Sequence, residues 1–209
     1  MKIRKKIYAL LVLALILLNT AIAAAANADN EQMLEHQIKA AFLYNFVKFI
    51  DWPQEITTDA NKPIIIGIIG KNEFSNAFKL VKNKKINDRK VIVTQFEKPL
   101  ELINDKDENS RPNRKIDELK KCHLLFFSNS LKKDVFSSIL KTANPLPVLT
   151  VGDLPGFLEA GGIINFLIEN KKVRFEVNLK AAERSNLKIR ANLLKLAKRI
   201  IKEKRNDKD

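Results

Sequence analysis

The sequence predicts an α/β fold. It is a three-layer sandwich, with a mostly parallel sheet of about six strands, helices on both faces and an antiparallel hairpin near the C-terminus. Three observations lead there. Helix-period and strand-like segments alternate from residue 31 to residue 151, the order that builds a parallel sheet with helical crossovers. Ile64 to Ile69 and Leu124 to Phe127 are apolar on both strand faces, as in strands covered on each side. Val173, Phe175 and Val177 then alternate with Arg174, Glu176 and Asn178. That period of two follows a polar turn at 169–172, so 162–178 is read as a hairpin.

Each element follows in chain order. Residues 31–52 form a helix with Leu34, Ile38, Ala41, Phe42, Phe46 and Phe49 as its apolar stripe, stopped by Pro53. The stripe is first of all core packing. Yet Phe42, Tyr44, Phe46, Phe49 and Trp52 put five aromatics into eleven residues, too many for one face, and some belong in a groove or interface. Ile64–Ile69 is a central strand, and 73–82 a helix capped by Asn72. Residues 90–96 form the next strand and 97–103 a short helix. NDKDENSRPNRK (104–115) has no apolar residue and is a solvated loop. Leu124–Phe127 is a strand, 131–143 a helix stopped by Asn144-Pro145, and 148–151 a strand closed by Gly152-Asp153. After the hairpin, 181–184 is helical and Asn186 supplies a left-handed stop. Ile189, Leu193, Leu196, Ala197 and Ile200 mark a last, basic helix.

Residues 1–28 read as a cleavable secretory signal. Lys2, Arg4, Lys5 and Lys6 precede a 12-residue apolar core, Ile7 to Leu18, and Ala26-x-Ala28 supplies small residues at a cut site. The core is shorter than the ~20 residues that a spanning helix needs. Residues 29–203 then form one domain, ordinary in length, and 204–209 a disordered basic tail. The expected location is the periplasm. The net charge of +14 falls to +10 without the leader, and +7 of it lies from Lys180 onward. Export argues against nucleic acid. An anionic membrane surface or an acidic partner suits a basic C-terminal helix better, beside the plainer reading of a solvated face.

A search for chemistry comes up nearly empty. Cys122 is the one cysteine, so no disulfide forms within the chain. It reads as a buried structural thiol, with a redox or dimer-linking role as the alternative. Cys122 and His123 are adjacent and would point to opposite strand faces, which suits neither zinc nor a Cys–His pair. Gly67-x-x-Gly70 lacks the glycine-rich loop of a phosphate site. The expectation is no enzyme, no metal and no cofactor. A ligand site is better supported at the carboxyl ends of the parallel strands. There Asn129 and Asp153 offer polar contacts and Phe157 an apolar face, with Gly161 and Gly162 in a loop above.

Several motifs recur in one order: KAAFLYNFVKFIDWP (39–53), IIIGIIG (64–70), CHLLFFS (122–128), VLTVGDLPGF (148–157), GGIINF (161–166), RFEVNLKAA (174–182) and LLKLA (193–197). This set closely resembles the YfiR family of small periplasmic regulators, over nearly all of the chain after the leader. The chain departs from the family's usual Ala-Gly-Leu at Ser185-Asn186-Leu187, and from a serine pair at Ala191-Asn192. Its single cysteine excludes the internal disulfides of some relatives.

The resemblance implies a non-enzymatic periplasmic protein that restrains a membrane-bound diguanylate cyclase and so modulates cyclic-di-GMP signalling, biofilm formation and motility. It also implies a homodimer, and a partner in the periplasmic segment of an inner-membrane signalling protein. Candidate contact residues are the exposed members of Tyr44, Phe46, Phe49 and Trp52, with Arg174. The alternative is a periplasmic small-solute sensor that acts with a transporter or a sensor kinase.

Overall fold

The computed structural model describes residues 29–57, 62–71, 75–79, 81, 84–99 and 114–202. The expected leader, the 104–113 part of the polar loop, Asn72, most of the 97–103 helix and the 204–209 tail lie outside these.

Helix α1 spans residues 29–48. Its buried line is Lys39, Ala40, Leu43, Phe46 and Val47, continued by Ile50 beyond the helix. These positions recur at three- and four-residue steps, so they share one face. The face is turned from the expected stripe: Leu34, Ile38 and Ala41 are exposed, and Phe42 and Phe49 are half-buried. Lys39 takes a core position because two carboxylates meet it, Asp153 at 2.6 Å and Glu35 one turn earlier. The helix also ends before Trp52. Strand β1 (Ile50–Asp51) pairs antiparallel with β9 (Lys188–Ile189), and Arg190 N–H donates to the Phe49 carbonyl.

After the one-turn helix α2 (Gln54–Thr57) comes the main sheet of eight strands, in the order β10-β8-β7-β6-β5-β2-β4-β3. Strands β2 (Ile64–Ile69), β4 (Arg89–Phe96), β5 (Leu124–Phe127), β6 (Leu149–Gly152) and β7 (Ile164–Glu169) run parallel as neighbours. The predicted hairpin is present as β7 and β8 (Lys172–Asn178), paired from Ile164↔Val177 to Glu169↔Lys172. Its turn residues Asn170 and Lys171 both have positive φ, 51° and 58°. A two-residue turn of that kind matches the natural strand twist.

The α/β sandwich is as expected, with eight strands instead of about six. The two extra strands are short. Lys85–Ile86 (β3) folds back on β4 through Asn87 and Asp88, again both at positive φ. Arg199–Ile201 (β10) pairs parallel with β8, where a helix was expected. In place of one basic helix the chain forms β9, a single turn α7 (Ala191–Leu194) and β10. Helix α6 (Leu179–Arg184) and Asn186, at φ 53°, follow the prediction.

Two cores lie on the two faces of the sheet. Leu124 and Phe126 point to the side of α1, where Phe46, Phe166 and Phe175 pack with ring centroids 5.0–5.7 Å apart. Leu125 and Phe127 point to the side of α4 (Arg114–Lys120) and α5 (Lys133–Ala143), with Phe136 and Phe157. Helix α3 (Ser75–Phe78) places Ala77 and Phe78 in the first core. Asn178 links hairpin and helix: its side-chain oxygen caps α6 by accepting from Ala181 N–H, and its amide donates to the Leu158 carbonyl. Cap and buried amide are thus satisfied together.

Candidate functional site

The carboxyl ends of β2, β5 and β6 are adjacent in the sheet, which brings Gly70, Ser128–Ser130 and Gly152-Asp153 to one edge. Their polar groups largely serve one another. Ser128 and Ser130 hydroxyls lie 2.6 Å apart, and Ser130 Oγ accepts from Lys71 N–H. Asp153 holds buried Lys39. Asn129 is exposed in the turn. Phe157 is fully buried, so its ring offers no face to solvent. It fills the space above Gly152 and Gly162, where an added Cβ would come within 2.4 Å and 2.1 Å of the ring. Gly161, at φ 101°, lies against Asn144. Packing accounts for Phe157 and for both glycines. The residue that sequence reasoning missed is Lys39, which looks like the polar side of a helix until its partner 114 positions away is known.

The aromatic candidates separate by burial. Phe46 is in the core. Phe49 and Trp52 are half-buried against it, and Trp52 donates its indole N–H to the Val47 carbonyl. Tyr44 is half-buried; its hydroxyl donates to the Lys85 carbonyl and its ring carries Lys48 Nζ at 4.1 Å. Arg174 is exposed on β8. Glu176, two residues on, forms a two-pronged pair with Arg199 of β10, at 2.8 and 2.9 Å.

A cavity of ≈ 230 Å³ opens at the other end of the sheet, beside the amino ends of β2 and β4. Val47, Ile50, Trp52, Ile64 and Ile86 give it apolar walls; Lys48, Arg89 and Arg190 bring three positive charges against one carboxylate, Asp51. That carboxylate already accepts from Arg190 Nε at 2.6 Å. The lining therefore suits a small anion with an apolar body. It is assembled from α1, β1, β2, the β3–β4 turn and the residue after β9, so no local motif announces it. Among the described residues no cluster of three or more His, Cys, Asp or Glu could hold a metal ion.

Arg89 connects this cavity to the core. Its guanidinium donates to the carbonyls of Lys62, Ile56 and Pro63, and its Nη2 lies 2.9 Å from His123 Nε2. Ile65 N–H faces His123 Nδ1 at 3.2 Å. Both neighbours are donors, so a neutral ring satisfies one of them and an imidazolium neither. Burial, then the nearby Arg89 charge, pushes the ring down to about 4. Burial likewise pushes the Cys122 thiol up to about 12, with Glu118 adding to it, so the thiolate is scarce at neutral pH.

The neutral ring makes stability depend on pH. The unfolded chain binds this proton near pH 6.5 and the folded protein only near 4, so the contribution is full above about 6.5 and is lost as pH falls to 4. The expected loss is roughly 3 kcal/mol. Urea unfolding between pH 7 and pH 4 measures it against His123→Gln. The variant should show a correspondingly shallower fall; parallel curves would contradict this.

Comparison with solved structures finds similar chains. The ABC domain in complex with L-Trp from Streptococcus pneumonia is 12% identical, with a TM-score of 0.51 over 78% of this chain and 60% of its own. A conserved domain protein from Vibrio cholerae O1 biovar eltor is 14% identical, with a TM-score of 0.46 over 70% of this chain and 57% of its own. This chain thus spans less than two thirds of either. No curated protein matches the sequence. The family comparison matches residues 36–198, from within the first helix through α7 to the residue before β10. With most of its length covered, and with the ordered motifs on the strands and helices described above, the chain belongs to the YfiR/HmsC-like family.

Proposed function

We propose that this protein is a periplasmic regulator that restrains an inner-membrane diguanylate cyclase and so lowers cyclic-di-GMP. The observation that carries this reading is the family match over residues 36–198, a family of periplasmic regulators of that signalling. Among the described residues no helix is long and apolar enough to cross a membrane, and Asp153, Ser128 and Ser130 at the strand ends meet structural partners. The protein works by contact, and its candidate contacts are separate: half-buried Tyr44 lies on α1, and exposed Arg174 alternates with Phe175 and so lies on the face of β8 turned from α1. Deleting the gene should raise cellular cyclic-di-GMP, and the wild-type gene should restore it. A Tyr44→Ala/Arg174→Glu double variant should fold normally and fail to restore it. Unchanged cyclic-di-GMP on deletion would overturn the restraint, and full complementation by the variant would remove those residues from the contact.

A second reading has its own observation, the cavity beside Lys48, Trp52, Arg89 and Arg190. Here the protein senses a small solute and passes the signal to a transporter, a sensor kinase or the same cyclase. The chemistry of the lining selects a small organic anion. Such a ligand at a hundredfold excess over its dissociation constant raises stability by ~2.7 kcal/mol. Thermal unfolding against a panel of small organic acids should reveal one that stabilises the wild type and not Arg190→Glu. Equal midpoints across the panel, or equal shifts in both proteins, would contradict a site here.

A further inference from the structure

His123 stands behind the cavity at the amino ends of β2 and β4. It does not line that cavity, but two residues that do, Arg89 and Trp52, lie against it. The ring is buried, with Arg89 Nη2 at 2.9 Å from its Nε2 and the Trp52 ring edge-on at 5.8 Å between centroids. The other charges at the cavity are Lys48 on α1, Asp51 on β1 and Arg190 after β9. Behind the ring are Cys122, whose thiol stays protonated at neutral pH, and Glu118 of α4, whose carbonyl accepts from that thiol. Ile65 on β2 and Leu149 on β6 meet His123 through backbone N–H groups. Of these charges Arg89 is the one within hydrogen-bond distance of the ring.

We propose that a proton on His123 and an anion in the cavity favour one another through Arg89, so that anion recognition at this site is acid-sensitive. The inference rests on the solute-sensing reading and adds its regulation. A neutral ring accepts from Arg89 at Nε2, whereas an imidazolium presents an N–H there, donor against donor and charge against charge. The guanidinium then has to turn that edge away from the ring, while its Nε keeps the Lys62 carbonyl at 2.6 Å. Arg89 already lines the cavity, so an anion there accepts the freed N–H and offsets the charge that opposes the imidazolium. The coupling is reciprocal: what the anion does for the proton, the proton does for the anion. Burial and the Arg89 charge hold the ring neutral down to about 4. An anion beside Arg89 raises that midpoint, so affinity for the anion grows as pH falls from the anion-bound midpoint towards the free one.

The probe is benzenesulfonate, which has a small apolar body and stays ionised throughout the range tested. The chain has two histidines, so the His123 imidazole signals are followed by NMR and told apart from those of His36 with His36→Gln. Saturating benzenesulfonate should raise the proton affinity of His123 about tenfold, and calorimetry should find binding about threefold tighter at pH 4.5 than at pH 7.5. His123→Gln keeps an acceptor for Arg89 but cannot titrate, and it should bind equally at both. Circular dichroism at each pH checks the fold; if His123→Gln does not fold, the wild-type His123 midpoint with and without the probe decides. Binding that leaves this midpoint unmoved would overturn the linkage and keep the anion site. A pH dependence that survives in His123→Gln would do the same, with Asp51 as its source. No binding at either pH would overturn the anion site itself, and the linkage with it.

Discussion

The buried ion pair between Lys39 and Asp153 decides how the first helix lies on the sheet. Lys39 is 2% exposed, its ammonium lies 6.0 Å from the centre of the Phe166 ring, and it also meets Glu35. Taking such a group from water costs several kcal/mol, which its partners must offset. Its worth is therefore better sought in specificity than in net stability. Asp153 stands at the carboxyl end of β6, so the pair ties one rotation of α1 to one point of the sheet. With that rotation Ala40, Leu43, Phe46 and Val47 go inward, and Leu34 and Ile38 are left outside.

The same rotation positions the residues that line the cavity and a groove between α1 and the hairpin. The far end of α1 carries Val47 and Lys48 to the cavity, where β1 and Trp52 complete the wall. The near end aligns Glu31, Leu34 and Ile38 with the hairpin tip. Asp153, which the sequence offers as a ligand contact, is instead held by Lys39, and the space expected to receive a solute is filled by Phe157. The open cavity lies at the opposite end of the strands.

What the sequence revealed follows from the range of the interactions. The β7–β8 hairpin was legible because alternation and the Asn170-Lys171 turn are local. The double-faced strands β2 and β5 were legible because both cores cover them. The rotation of α1 was not: between Ile38 and Trp52 apolar residues occupy so many positions that several stripes fit, and the lysine that settles the choice looks polar. Strand β10 was misread for a related reason. Ile189, Leu193 and Ile200 satisfy a helical period, but pairing of Arg199–Ile201 with β8 and the Arg199–Glu176 pair outweigh that weak local preference. The cavity draws on five separate segments, and no spacing within the chain encodes it.

A double-mutant cycle on Lys39→Met and Asp153→Leu, read by urea unfolding, tests the organising role of this pair most directly. Lys39→Met strands the Asp153 carboxylate and should cost about 3–5 kcal/mol, Asp153→Leu leaves Lys39 to Glu35 alone and should cost less, and the double variant should lose much less than the sum of the two. Small and additive losses would contradict the account, because they would mean that the helix finds its place without the pair.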